Sequence, residues 1–204
     1  MRRYSYSRTL LHCLPGNVSL WVRCFVIVAV SSAAVFCPVS GFAEMDLPRE
    51  YKIKMAFIYN FTKFITWPET DKVFKNTDDF VGITIGGDPF GVSLQEFSEK
   101  ITVKGKRAVI RNAASAREIE ACHILFISAS EESNLKQILD KVKWKPVLTV
   151  SDTAGFAQKG VIINFFVEEN RIRFEINLRA AKKAGFNISS DLLKLARIVT
   201  EMDE

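Results

Sequence analysis

Cysteine and histidine are scarce in this 204-residue chain, which holds four of the first and two of the second. Cys13, Cys24, Cys37 and His12 all fall within residues 1–43, so a chain starting at Glu44 keeps only Cys122 and His123. One cysteine cannot close an internal disulfide, and no Cys/His pair has the spacing of a structural zinc site. Acid is missing from residues 1–43 altogether, where Arg2, Arg3, Arg8 and Arg23 are the charged residues. The formal net charge of +5 therefore resides mostly in that segment, and the rest of the chain is near neutral. A basic balance of this origin is not a nucleic-acid footprint, and no nucleic-acid partner is expected. Internal repeats and low-complexity tracts are also absent. With 48% hydrophobic and 25% charged residues the chain is neither disordered nor a polytopic membrane protein.

Residues 1–43 read as an export signal. Basic residues come first, an apolar stretch follows over 24–37, Pro38 breaks it, and Gly41-Phe42-Ala43 comes next. Small residues at the first and third of those positions suit cleavage after Ala43. The rival arrangement is an uncleaved anchor, in which 24–43 spans a membrane with Pro38 tolerated. Arg23 and Phe36 precede Cys24 and Cys37, where a lipoprotein signal has a small residue, so lipidation is not expected. The expected organisation is a signal peptide at 1–43 and a single exported α/β domain at 44–204; the periplasm is what the resemblance given below implies.

Hydrophobic periodicity assigns the elements of that domain. Between 48 and 67, Ile53, Phe57, Phe61, Phe64 and Ile65 recur at helical steps, and Trp67-Pro68 ends the helix. Strands are expected at 80–85, 106–111, 122–127 and 146–150, with helices at 91–100 and 114–121. Ser130 is expected to cap a further helix that turns Leu135, Ile138, Leu139 and Val142 inward. The run from 122 to 127 is apolar throughout, as a strand covered on both faces is, and Cys122 is read as a small buried hydrophobe. Residues 161–167 and 171–177 predict a hairpin around Glu169-Asn170, followed by a helix at 178–184 closed by Gly185. Ser189 or Ser190 then caps a final helix carrying Leu192, Leu193, Leu195, Ala196 and Val199 to the core. The alternation implies an α/β three-layer sandwich. Its sheet is mostly parallel, helices lie on both faces, and the antiparallel C-terminal hairpin forms an edge.

Catalytic patterns fail on inspection. Gly86-Gly87-Asp88-Pro89-Phe90 is one residue away from the Gly-Gly-Asp-Glu-Phe signature of diguanylate cyclases. Pro89 replaces the acid that a metal and phosphate site needs, so the segment reads as a turn. No Gly-Lys-Ser/Thr follows it, as a phosphate loop requires. A hydrolase would need His123 beside Ser128 or Ser151, with Asp152. Strand geometry sets His123 and Ser128 roughly 16 Å apart, and no Gly-x-Ser-x-Gly elbow is present. The protein is therefore expected not to be an enzyme, with no catalytic residues, cofactor or metal.

Two polar groupings remain. The carboxy ends of the 80–85, 122–127 and 146–150 strands should share an edge bearing Asp88, Ser128, Ser151 and Asp152. Open α/β sheets bind ligands at such an edge, making these the candidate small-ligand residues; capping of turns and helix starts is the plainer role for each. In Arg171–Asn177, Ile172, Phe174 and Ile176 alternate with Arg171, Arg173, Glu175 and Asn177. The polar four form either a solvated sheet face or a candidate partner-binding face.

Several strings resemble the YfiR (HmsC-like) family of periplasmic proteins. One is Lys54-Met-Ala-Phe-Ile-Tyr-Asn-Phe-Thr-Lys-Phe-Ile-Thr-Trp-Pro68, and another is Leu148-Thr-Val-Ser-Asp152 with Gly155-Phe-Ala157. The closing block is similar too: Ile163-Asn-Phe165, Arg171-Ile-Arg-Phe-Glu-Ile-Asn177, Ala180-Ala181, Gly185, and Ile188-Ser-Ser190 with Leu192-Leu-Lys-Leu-Ala-Arg197. The resemblance runs in order over 50–200. It implies a non-enzymatic repressor that binds the periplasmic region of an inner-membrane diguanylate cyclase and restrains cyclic-di-GMP synthesis, and with it biofilm formation. It also implies a homodimer, and an outer-membrane peptidoglycan-associated lipoprotein as a sequestering partner. Family disulfides are not transferable to a mature chain with Cys122 alone. The competing function is a periplasmic small-ligand-binding module that reports to another membrane receptor.

Overall fold

Leu125 and Ile127 project to one side of a sheet and Ile124 and Phe126 to the other, and all four are buried. Their strand is apolar throughout because helices cover both of its faces. The computed structural model describes residues 49–68 and 77–199. The elements are α1 (Arg49–Phe64), β1 (Ile65–Thr66), β2 (Asp79–Ile85), α2 (Val92–Glu99), β3 (Thr102–Val103), β4 (Lys106–Ala113) and β5 (Ile124–Ile127). They continue with α3 (Leu135–Val142), β6 (Leu148–Ser151), β7 (Ile163–Glu168), β8 (Arg171–Asn177), α4 (Leu178–Lys183), β9 (Asn187–Ile188), α5 (Ser190–Leu193) and β10 (Arg197–Val199). The expected signal peptide, its cleavage site after Ala43 and the first three cysteines lie outside the described residues.

The main sheet has the order β10-β8-β7-β6-β5-β2-β4-β3. Strands β4, β2, β5, β6 and β7 are parallel, while β8, β10 and β3 run against them. This is the expected three-layer α/β architecture with its antiparallel hairpin. At the hairpin turn Glu169 and Asn170 take φ 49° and 58°, the left-handed pair that a tight two-residue hairpin needs. On one face α1 and α2 pack over Phe126, Phe165 and Phe174. Phe61 is fully buried there, its ring centroid 5.8 Å from Phe165 and 4.9 Å from Phe174. On the other face α3 buries Leu135, Ile138 and Val142 against Val81, Ile83, Leu125 and Ile127.

Several expectations are corrected. The buried side of α1 is the Lys54, Met55, Phe61 and Thr62 side, and Ile53 and Phe64 are exposed. The helix ends at Phe64 because Ile65 and Thr66 pair with Ile188 and Asn187. The helix expected at 114–121 is one 3-10 turn, Ala116–Glu118, whose Glu118 carboxylate accepts from the Ala114 amide and the Ser115 hydroxyl. Ser130 does not cap the helix that follows it: its Oγ accepts from the Gly87 amide, residues Ala129–Asn134 form 3-10 turns, and α3 begins at Leu135.

The largest departure is at the C-terminus. Ser189 caps as expected, accepting from the Leu192 amide, but α5 is a single turn. Leu192 is buried, whereas Leu195 is 72% exposed. The chain then extends into β10 and pairs in parallel with β8, so the hairpin is not the sheet edge. An unpaired strand offers a ladder of backbone donors and acceptors, and Ile198 and Val199 are β-branched residues suited to taking it up.

Candidate functional site

The carboxy ends of β2, β5 and β6 do lie along one edge, as their parallel register requires. Ser151 is buried; its Oγ donates to the Ile127 carbonyl at 2.7 Å and accepts from the Thr153 amide at 3.3 Å, closing the turn after β6. That turn aims Asp152 at the first helix. Asp152 Oδ2 accepts from Lys54 Nζ at 2.6 Å and from the Tyr51 hydroxyl at 3.0 Å. Lys54 also pairs with Glu50 Oε1 at 2.6 Å, one helical turn earlier. Lys54 is only 3% exposed, and a charge removed from water to that degree has to be paired. The Tyr51 hydroxyl is pushed up to about 12, first by burial and then by the Asp152 carboxylate and its hydrogen bond. The Tyr51 ring meets Phe90 edge-on at 5.3 Å, and Phe90 in turn meets Phe126 at 4.8 Å.

Asp88 and Ser128 belong to the neighbouring strand ends. Asp88 Oδ1 accepts from the Phe90 amide at 2.9 Å and Oδ2 from Asn112 Nδ2 at 3.2 Å. Ser128 is half-buried beside Gly87. Gly86 (φ 86°) must be glycine, because a Cβ there would lie 2.4 Å from Ser130 Oγ. The edge thus brings Ser151 and Asp152 together with Tyr51, Lys54 and Glu50, while Asp88 is bonded to Asn112 and Phe90. Sequence reading missed Tyr51 and Lys54. The signal was present: Glu50 and Lys54 are four residues apart, on a helix expected to turn aromatic residues inward.

Below this edge, α1, α2 and the sheet border a partly open apolar cavity of about 70 Å³ lined by Met55, Ile58, Phe80, Leu94, Phe97 and Ile110. It is about half the size of an apolar cavity that accepts benzene.

The face of the C-terminal hairpin is divided. Arg171 and Arg173 are exposed. Glu175 is 6% exposed and accepts from Asn164 Nδ2 at 3.2 Å. Asn177 is fully buried: its Nδ2 donates to the Ala157 carbonyl at 2.7 Å, and its Oδ1 accepts from the Ala180 amide, capping α4. The expected four-residue solvated face therefore shrinks to Arg171 and Arg173, because the 152–161 loop and β10 flank the other two. In exchange β10 adds Arg197, in register with Glu175. Glu168 joins Arg173 at 2.9 Å and Arg197 at 2.7 Å, and the Arg197 guanidinium lies 4.1 Å over the Phe166 ring.

Cys122 is buried, and burial pushes its thiol up to about 12. His123 is likewise buried; its Nδ1 accepts from the Val81 amide at 2.9 Å and its ring stacks on Phe80. Among the described residues no group of three or more His, Cys, Asp or Glu side chains is placed to hold a metal ion. Nor is any helix long and apolar enough to cross a membrane.

These features define an α/β sandwich whose polar groups at the usual ligand-binding edge are bonded to one another, with arginines displayed on a sheet face. The chain belongs to the YfiR/HmsC-like family, whose model matches residues 51–197. This is a family of periplasmic regulators of cyclic-di-GMP signalling, regulatory and not catalytic. Among solved structures the chain is similar to an ABC domain in complex with L-Trp from Streptococcus pneumoniae, at TM-score 0.51 and 12% identity, over 69% of this chain and 59% of that one. It is also similar to a conserved domain protein from Vibrio cholerae O1 biovar eltor, at TM-score 0.43 and 15% identity, over 64% of this chain and 57% of that one. The chain thus spans less than two thirds of either structure. The first likeness is one of fold alone.

Proposed function

We propose that the protein is exported, loses residues 1–43, and in the periplasm binds the sensor region of an inner-membrane diguanylate cyclase, restraining cyclic-di-GMP synthesis and biofilm formation. The observation that carries this reading is family membership across 51–197, from α1 to the start of β10. The repressor acts as a homodimer, and a peptidoglycan-associated outer-membrane lipoprotein sequesters it. Repression requires tighter binding to the inactive cyclase than to the active one. Tenfold discrimination takes about 1.4 kcal/mol, which one patch of exposed charge and aromatic surface can supply. Arg171, Arg173 and Arg197 around Phe166 are the patch to which we assign it, with Glu175 in register beside Arg197.

The test is to delete the gene alone and together with the candidate cyclase, then measure cyclic-di-GMP. The single deletion should raise the nucleotide and the double deletion should not. No rise while the cyclase is expressed defeats the repressor reading. Arg173→Gln with Arg197→Gln should derepress while shifting the melting curve little, because exposed ion pairs contribute little to stability.

The apolar cavity under α1 supports a second reading, a small-ligand module reporting to another membrane receptor. That reading expects a small apolar compound to raise the melting temperature, since a ligand confined to the native state stabilises it.

A further inference from the structure

Gly82 stands in the middle of β2, among Phe80, Val81, Ile83, Thr84 and Ile85. A glycine weakens a strand interior, and it ordinarily marks a bulge, a bend, or a close approach by another backbone or a ligand. Pairing with β4 and β5 runs through Gly82 without interruption, which excludes a bulge. Nor does Gly82 take a positive φ. No backbone crowds it: among the described residues a Cβ there would meet one atom within 4 Å, Ile110 Cδ1 at 2.8 Å, the far end of a flexible side chain. The room over Gly82 belongs to the apolar cavity between α1, α2 and the sheet, where Ala108 also leaves space. The cavity wall is apolar almost throughout. Thr62 and Ser98 border it, but their hydroxyls donate to the Tyr59 and Gln95 carbonyls of their own helices, at 2.6 and 2.7 Å. On the helical side Met55 is buried while Ile58, Tyr59, Leu94 and Phe97 are partly exposed, so the cavity opens between α1 and α2. The Tyr59 and Phe97 rings meet edge-on there at 6.3 Å. Helix α2 has eight residues, is entered through Gly91 at φ 54° and has no side-chain cap. So short a helix is marginal by itself, and this wall can yield to an entering group.

We infer that this cavity binds the end of one unbranched alkyl chain of a dissolved amphiphile, over the floor that Gly82 leaves open. The inference rests on the small-ligand reading above and names its ligand class; it is independent of the cyclase reading. A wall this apolar excludes charged and hydrogen-bonding groups, whose desolvation nothing there would offset. Without a ligand such a cavity stays dry. At about half the volume that accepts benzene, it is too small for a ring and takes roughly three carbons of a chain. The opening between the helices lets the chain enter end-on and leaves its head in water. The exposed side of α2 carries Glu96 and Glu99, which an anionic bilayer surface repels, so the chain arrives from solution and not from a membrane.

The experiment titrates n-butanol, n-hexanol and n-octanol into the purified protein by calorimetry. Affinity should rise about fourfold per methylene while carbons enter the cavity, and more slowly once it is full. Gly82→Ala puts a methyl on the floor and turns Ile110 aside. It should weaken n-hexanol binding about tenfold without lowering the melting temperature, since alanine is the less costly residue in a strand interior. Leu94→Phe narrows the cavity from α2 and should weaken binding as well; it decides the matter should Gly82→Ala fail to fold. Equal affinity of wild type and variants overturns the proposal. Binding of benzene or indole without binding of the alcohols overturns it and leaves the small-ligand reading standing, whereas failure of all these compounds to bind defeats both. Binding to phosphatidylglycerol vesicles without binding to the dissolved alcohols also overturns it, in favour of a bilayer chain.

Discussion

The two edges of the sheet have opposite characters. At the carboxy edge, where an open α/β sheet ordinarily receives ligands, the first helix inserts Tyr51 and Lys54 onto Asp152, and their bonds stay within the chain. At the amino edge, on the turn before β6, Trp144 stands in water beside a wide groove. The difference teaches that topology sets where a site can be, and the flanking helix decides whether that place is open. Lys54 is buried and cannot exist there uncompensated, so its carboxylates are structural before they are anything else. Lys143 and Lys145 at the amino edge are exposed, and solvent screens their charges.

The comparison breaks most easily at Asp152. Asp152→Ala leaves the buried Lys54 with Glu50 alone and should cost about 3–5 kcal/mol. Replacing both partners, Lys54→Met with Asp152→Leu, should cost much less than the single change. Urea denaturation of the three proteins decides this, and a single variant as stable as wild type shows that the edge is not held by its charges.

Cys122 tests whether the amino edge is open along its whole length. It lies two residues before β5, and burial with a thiol at about 12 should make it slow to label in the native protein at neutral pH. Cys122→Ala should cost about 1–2 kcal/mol. Rapid native labelling places water where the structure has packing.

Tyr51→Phe sharpens the carboxy edge further. Removing the hydroxyl should cost about 1 kcal/mol. It also changes the response to alkali. The Tyr51 hydroxyl titrates at about 12 in the folded protein against 10.0 for an ordinary tyrosine. Between those values the unfolded state loses the proton first, so this contribution is complete below about pH 10 and lost as pH rises through the folded value. Urea midpoints measured up that range should fall more steeply for wild type than for the phenylalanine variant.

The smallest effects belong to exposed side chains. Leu195→Asp should shift stability by no more than about 0.5 kcal/mol, because Leu195 points to water. Trp144→Ala should do the same. A loss of several kcal/mol at Leu195 restores the long docked helix that its apolar spacing first suggests.

Much of the fold is legible from local chemistry. The apolar 122–127 run, the Glu169-Asn170 turn, the Ser189 cap and the α3 stripe each rest on interactions between near neighbours in the chain. The candidate site is legible only in part. The register of parallel strands places Asp88, Ser128 and Asp152 along an edge, but Tyr51 and Lys54 arrive from about a hundred residues away in sequence. Glu175 and Asn177 alternate with apolar residues just as Arg171 and Arg173 do, yet the first two are buried and the last two are not. Alternation reports which face a side chain takes and says nothing of what covers that face.

The amino acids by themselves determined the strand and helix periodicities, the turn residues, the burial of Cys122 and the family strings, because all of these follow from local sterics and the separation of apolar from polar groups. Tertiary structure alone decided the rest. It drew residues 197–199 out of a helix and onto the unpaired side of β8, where a ladder of backbone groups was available. It closed the carboxy edge with Lys54, because a buried ammonium needs its carboxylate. And it left Trp144 in solvent beside a wide groove, because the 143–145 turn connects two packed elements and faces neither.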